Sequence, residues 1–187
     1  MPKKNLKPRI IITGILVLLI LIGAVALDAN YFSSRRIKLN YTTLSSDKIP
    51  SSLDGMSIAA FGDLEYGTFM NSERLKRVVD KLNQAAPDTI IFLGDLYDKG
   101  FVPDEDTENE VILMLSGLKA PYGKFAVLGD YDINVRETVI RDLTAAGFEI
   151  LENAVIHLHN GYSENIDLIG LTDTISGLGD INTVYSN

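Results

Sequence analysis

The 187 residues contain no cysteine, no tryptophan and only two histidines. The missing cysteine excludes a disulfide framework, a thiolate zinc site and a cysteine nucleophile, and it fits an extracytoplasmic domain that avoids stray disulfides. Positive charge is also scarce where it would matter. Residues 39–187 hold ten bases and twenty-four acids, a net charge of about −14. Such a surface repels a phosphate backbone, so no nucleic-acid partner is expected.

What the chain does contain, near its start, is one long apolar run. Residues 10–27 carry no charge, and only Thr13, Gly14 and Gly23 are not aliphatic. At about 1.5 Å per residue a helix of this length roughly matches the hydrocarbon core of a bilayer. The run predicts a single-pass transmembrane helix over 10–27, with a basic cytoplasmic tail over 1–9, a stalk over 28–36 and a domain over 37–187. Lys3, Lys4, Lys7 and Arg9 place the N-terminus inside and the domain outside the cell membrane, against a weaker opposing bias from Arg35, Arg36 and Lys38. The competing reading is a cleaved signal peptide, since Ala24-Val25-Ala26 offers small residues at a suitable spacing. The run is longer than the roughly 7–15 residues of a usual signal-peptide core, which favours the anchor.

Beyond the anchor, apolar periodicity predicts alternating strands and helices. Ile37–Tyr41 alternates with period two, as a half-buried strand does, and residues 45–55 read as loop. Buried strands are expected over 57–61, 89–93 and 124–128, and further strands over 148–151, 154–159 and 166–171. Asn71 can cap a helix whose Leu75, Val78, Val79 and Leu82 share one face, with Pro87 beyond its end. A second helix is expected around 111–115, and a third over 135–146 with Gly147 as its stop. Strands alternating with helices imply parallel βαβ units.

Three of the buried strands end alike, in Phe61-Gly62-Asp63, Leu93-Gly94-Asp95 and Leu128-Gly129-Asp130. In an open α/β sheet the site lies at the carboxyl ends of the strands, so three carboxylates should converge there. Glu65, Asp98 and Asp132 follow on the same loops, and up to six acids could crowd one crevice. Acids packed this way take up protons or bind cations, and a divalent metal is the economical answer. A single Gly-Asp after a strand is ordinary turn chemistry, but three on successive units are not. His157 and His159 fall on one face of a strand before Asn160-Gly161 and read as hairpin residues. Tyr66, Tyr97 and Tyr122 lie near the acidic loops without an assigned role.

These motifs resemble those of the calcineurin-like metallophosphoesterases, whose first half carries Asp-x-His, then Gly-Asp, then Gly-Asn-His followed by an acid. Ile49-Pro50, Leu53-Asp54-Gly55, residues 118–123, residues 126–129 and Ala146-Gly147-Phe148 are similar to membrane-anchored bacterial members, and the likeness covers about residues 37–173. The resemblance implies the N-terminal half of a mixed-sheet αββα sandwich. It also implies two divalent metal ions, with Asp95 as the bridging ligand and Asp63 as a ligand of the first ion. Glu65 stands where the family has the histidine of Asp-x-His, Asp130 replaces the asparagine, and Tyr131 replaces the histidine that protects or protonates the leaving group. Oxygen ligands at Glu65 and Asp130 shift the preference from zinc toward magnesium, manganese or calcium. Tyr131, with an ordinary pKa of about 10, can donate a hydrogen bond but is a poorer proton donor than imidazole near 6.5, so weak catalysis or an altered role is expected. The Gly-His-x-His motif of the family's second half does not occur before Asn187.

Three readings follow. The first is a metal-dependent phosphoesterase acting on an envelope phosphate ester such as a lipid or cell-wall precursor. The second is a non-catalytic, cation-binding envelope module. The third is a truncated product with an incomplete sheet.

Overall fold

The computed structural model describes residues 6–27, 37–68, 70–159, 161, 164–172 and 184. The expected stalk, residues 1–5 of the tail, Asn160 and all residues beyond 172 except Val184 lie outside the described residues. The chain divides into two compact units, residues 1–41 and 42–187.

In the first unit, helix α1 spans Leu6–Leu27. Its large aliphatic side chains from Ile11 to Val25 are each more than half exposed. Among the described residues no helix is long and apolar enough to cross a membrane. The strand expected over Ile37–Tyr41 does not form. Those residues are irregular, with Tyr41 83% exposed, because alternation alone makes no strand without a neighbour to pair with.

In the second unit, β1 (Ile58–Phe61), β2 (Thr89–Phe92), β3 (Lys124–Ala126) and β4 (Glu149–Ile150) form one parallel sheet in the order β1-β2-β3-β4. Ala60 pairs with Ile91, Ile91 with Phe125 and Phe125 with Glu149, so all four strands deliver their carboxyl ends to the same edge. The connections are α2 (Ser72–Ala85), α3 (Glu105–Ser116) and α4 (Arg136–Ala145). Asn71 accepts a hydrogen bond from the Arg74 amide at 3.1 Å and starts α2 as expected, and the helix ends before Pro87. α3 begins six residues before the apolar run that announced it, because Asp104 caps it and its first turn is acidic, which suits the positive end of the helix dipole.

All three helices cover one face of the sheet. Leu75, Val79 and Leu82 of α2, Val111 and Leu115 of α3, and Val139 and Leu143 of α4 are buried against Ile90, Phe92, Ala126 and Phe148. Each such side chain contributes roughly 1.5–3 kcal/mol by leaving water. Part of the other face is covered by an antiparallel hairpin, β5 (Ala154–Leu158) and β6 (Ile166–Gly170), through Phe125, Leu151 and Leu158.

The expected mixed-sheet αββα sandwich is met in part. The described residues hold a parallel sheet and a separate hairpin, in layers α, β and β. The chain bends out of the sheet at Asn153, a residue with φ +48°, and Gly170 of β6 packs so closely on Leu151 that a Cβ there would collide with it.

The loops leaving β2 and β3 are held together by one side chain. Asp132, fully buried, opens a short 3-10 turn, Asp132–Val135, ahead of α4. Its Oδ2 accepts hydrogen bonds from the amides of Asp95 and Gly129, and its Oδ1 accepts one from Leu96, each at 2.9 Å. Asp132→Ala strips the acceptor from three amides at once. At about 1–3 kcal/mol per unsatisfied group, the variant should lose at least ~3 kcal/mol in urea unfolding followed by circular dichroism, while Asp132→Asn, which keeps one carbonyl oxygen, should lose less. A loss below ~1 kcal/mol for the alanine variant would mean that the loops hold without the clamp.

Candidate metal centre

Each carboxylate of the site sits one residue past the glycine that follows its strand. The two central glycines are required by contact between loops. A Cβ on Gly94 would collide with the backbone of Gly129, and one on Gly129 would collide with the Asp95 carboxylate. With both positions bare, the β2 and β3 loops touch, and Asp95 Oδ1 accepts a hydrogen bond from the Tyr131 amide at 3.0 Å. The β1 loop is tied to the β2 loop by three backbone bonds, from the amides of Asp63, Glu65 and Tyr66 to the carbonyls of Gly94, Asp95 and Leu96, at 3.0, 3.0 and 2.9 Å.

Asp63, Glu65 and Asp95 all adopt left-handed backbone conformations, with φ of +50°, +46° and +59°. This region is unfavourable for residues with a side chain, and such strain persists only where the surroundings over-determine it. The inter-loop bonds supply that constraint. Its effect is to bring acids from separate strands to one edge of the sheet.

The electrostatics agree with that placement. Burial pushes the Asp95 carboxyl above its usual range, the Tyr131 amide pulls it back, and the negative charges of Asp132, Asp130 and Asp63 push it up again. Burial likewise raises Asp132, against the pull of its three amide donors. Asp63 and Asp130 are exposed, whereas Glu65 and Tyr131 are half-buried. The Lys99 ammonium lies 5.2 Å from the centre of the Tyr131 ring.

The expectation of six acids in one crevice is corrected at two positions. Asp132 faces inward as the clamp, and Asp98 accepts a hydrogen bond from the next amide, that of Lys99, at 2.8 Å. Tyr66 and Tyr97 are buried beneath the loops, their hydroxyls donating at 2.6 Å to Glu110 and Asp142. Burial and the Glu110 carboxylate push the Tyr66 phenol up to about 12. His157 pairs with Asp167 at 2.7 Å across the hairpin, and His159 accepts from the Gly161 amide, as the hairpin reading has it. Sequence reasoning missed the clamp, because nothing local distinguishes Asp132 from its neighbours; its amide partners include residues 36 and 37 positions away.

Among the described residues no three histidine or acidic side chains are close enough together to hold a metal ion. The donor chemistry nevertheless fits one. Asp63, Asp95 and Asp130 offer carboxylate oxygens from three strand ends, and mutual repulsion at Asp95 is what a hard divalent cation relieves.

The sequence pattern described as Calcineurin-like phosphoesterase matches residues 56–187. Among curated proteins, the chain is 30% identical over 155 residues to the uncharacterized metallophosphoesterase YkuE of Bacillus subtilis, covering 81% of this chain and 53% of that one. It is 27% identical over 149 residues to the UDP-2,3-diacylglucosamine pyrophosphatase LpxG of Chlamydia muridarum, covering 73% and 44%. It is 24% identical over 119 residues to a transmembrane protein with metallophosphoesterase domain of Danio rerio, covering 63% and 25%. No solved structure matches. The chain spans about half the length of the first of these relatives and less of the others. With the family pattern running through all three Gly-Asp strand ends, the chain belongs to the calcineurin-like phosphoesterase family.

Proposed function

We propose that this chain is a metal-dependent phosphoric ester hydrolase domain, tethered by its N-terminal helix and working at the outer face of the cell membrane. One observation carries the chemistry: acids follow the ends of three parallel strands at one edge of the sheet, and the backbone of the central one, Asp95, is fixed in a left-handed conformation by neighbouring loops.

In this reading Asp63, Glu65, Asp95 and Asp130 would hold two divalent ions. An all-oxygen set favours magnesium, manganese or calcium over zinc. Bound there, the ions supply Lewis-acid stabilisation of charge on the phosphoryl oxygens. The Tyr131 amide orients Asp95 through Oδ1, leaving Oδ2 for a ligand. In this reading the Tyr131 phenol would donate a hydrogen bond to the leaving group. The substrate is a phosphate ester of the envelope, a lipid or a cell-wall precursor, and the likeness to LpxG supports the lipid.

Support for the tether comes from the sequence, in the uncharged apolar run over residues 10–27. The likeness to a transmembrane relative supports it. A second reading, a cation-binding module without turnover, is favoured by Tyr131 standing where the family has a histidine, since a phenol is a poorer proton donor to a leaving group than an imidazole.

The deciding experiment is a thermal melt of the full chain in chelator and then with manganese, beside assays on generic phosphomonoester and phosphodiester substrates. Manganese at about 100 times its dissociation constant should stabilise by about 2.7 kcal/mol, and Asp95→Asn should abolish both that shift and any hydrolysis. A shift without turnover would select the second reading; no shift would defeat both.

A pH dependence follows from the raised Asp95 pKa. A carboxyl whose folded pKa lies above its unfolded value of about 3.8 adds stability that is complete below that value and is lost as pH rises through the folded one. In chelator, Asp95→Asn should therefore be more stable than the parent at pH 7, and the difference should shrink toward pH 4. Saturating manganese should reverse the order at pH 7. A parent more stable than the variant in chelator at pH 7 would contradict the repulsion described.

A further inference from the structure

Tyr97 lies two residues beyond Asp95 and is 1% exposed, yet it carries a hydroxyl into the core. That hydroxyl donates to Asp142 Oδ2 of α4 at 2.6 Å, and Asp142 is itself 1% exposed. Arg141 reaches the other oxygen of Asp142 at 3.1 Å and Glu108 of α3 at 2.7 Å, so the acceptor is fixed to both helices beneath the site. A phenylalanine would fill the same volume without needing any of these partners. A buried phenol and a buried carboxylate each cost desolvation, which their mutual hydrogen bond has to offset.

The position of this pair in the loop gives it a use. Asp95 is held on its N-terminal side by the Asp132 clamp, and the following Leu96 by Asp132 Oδ1 and the Tyr66 amide. Beyond Leu96 the backbone is paired once more, the Asp98 amide donating to the Tyr66 carbonyl at 3.1 Å. The Tyr97 hydroxyl adds a side-chain anchor to the helices at this point, two residues from an Asp95 at φ +59°.

We infer that the Tyr97–Asp142 hydrogen bond is a positioning device that holds Asp95 in its ligating conformation from the far side of the loop. The inference rests on the metal-site reading above. Tyr97 touches neither metal nor substrate, and it acts through the backbone between itself and Asp95. Partners in this outer position typically set metal affinity by about 10–100-fold.

The test is manganese binding by the full chain, read from the free-ion signal in electron paramagnetic resonance. Tyr97→Phe and Asp142→Leu should each weaken binding about tenfold. Asp142→Asn keeps a carbonyl acceptor for the phenol and should stay within about threefold of the parent. Leu143→Ala, a core truncation on the same helix, should lower the melting temperature without changing the manganese affinity, separating positioning from general destabilisation. Tyr97→Phe binding within about twofold of the parent would overturn the inference and leave the metal site standing. A parent that binds no manganese would overturn the metal-site reading and the inference with it.

Discussion

The Asp132 carboxylate is the interaction on which the rest of the site depends. It is buried, and its two oxygens accept three amides from two loops that leave adjacent strands. A carboxylate in that position resists being charged and is stabilised by its donors in the same measure, so it holds the loops only while all three bonds are made. Its geometry also dictates the glycines. Loops drawn together by one short side chain come into backbone contact, and only Gly94 and Gly129 allow that approach. Asp95, between clamp and glycine, is left no conformation but the strained one it adopts.

That arrangement explains which parts of the fold were legible in the sequence. Short apolar runs ending in Gly-Asp marked β1, β2 and β3 to within two residues, and the interior strands β2 and β3 are mostly buried as such runs imply, whereas β1, at the end of the sheet order, is exposed or half-buried along its length. The Asn71 cap and the stripe of α2 were legible for the same local reason. α3 was found only in its C-terminal half, since its first turns are acidic and exposed and show no apolar period. Ile37–Tyr41 failed because a period-two pattern records what a strand would bury and says nothing about whether a partner exists. The strands of the hairpin were legible locally, whereas its departure from the parallel sheet turns on Asn153 and on the approach of Gly170 to Leu151, a contact between positions distant in the chain.

Within the site, position was legible and orientation was not. Asp63, Asp95 and Asp130 could be placed at one sheet edge by counting from each strand end. Asp132 shares their charge and their loop, and it turns the other way. The difference is made by amides of the β2 loop that point at Asp132, which no reading of residues 128–133 alone can supply. Tyr66 and Tyr97 belong with Asp132 in this respect: both flank site acids in sequence, and both send their hydroxyls down to the helices.

The three departures from the family motifs are better understood together than singly. As proposed ligands, Glu65 in place of histidine and Asp130 in place of asparagine would each put an anionic group where the family has a neutral one, so a site built from them would carry two more negative charges before any ion binds. Such a site holds a dication more strongly and leaves less positive charge facing the substrate, which disfavours a dianionic monoester relative to a monoanionic diester. Tyr131 acts in the same direction, since a phenol brings no charge where a protonated imidazole would bring one. Lys99, resting against the Tyr131 ring on the adjacent loop, supplies positive charge near that position. The substitutions thus shift the balance of the site toward cation retention, and the lysine returns part of what the substrate side loses.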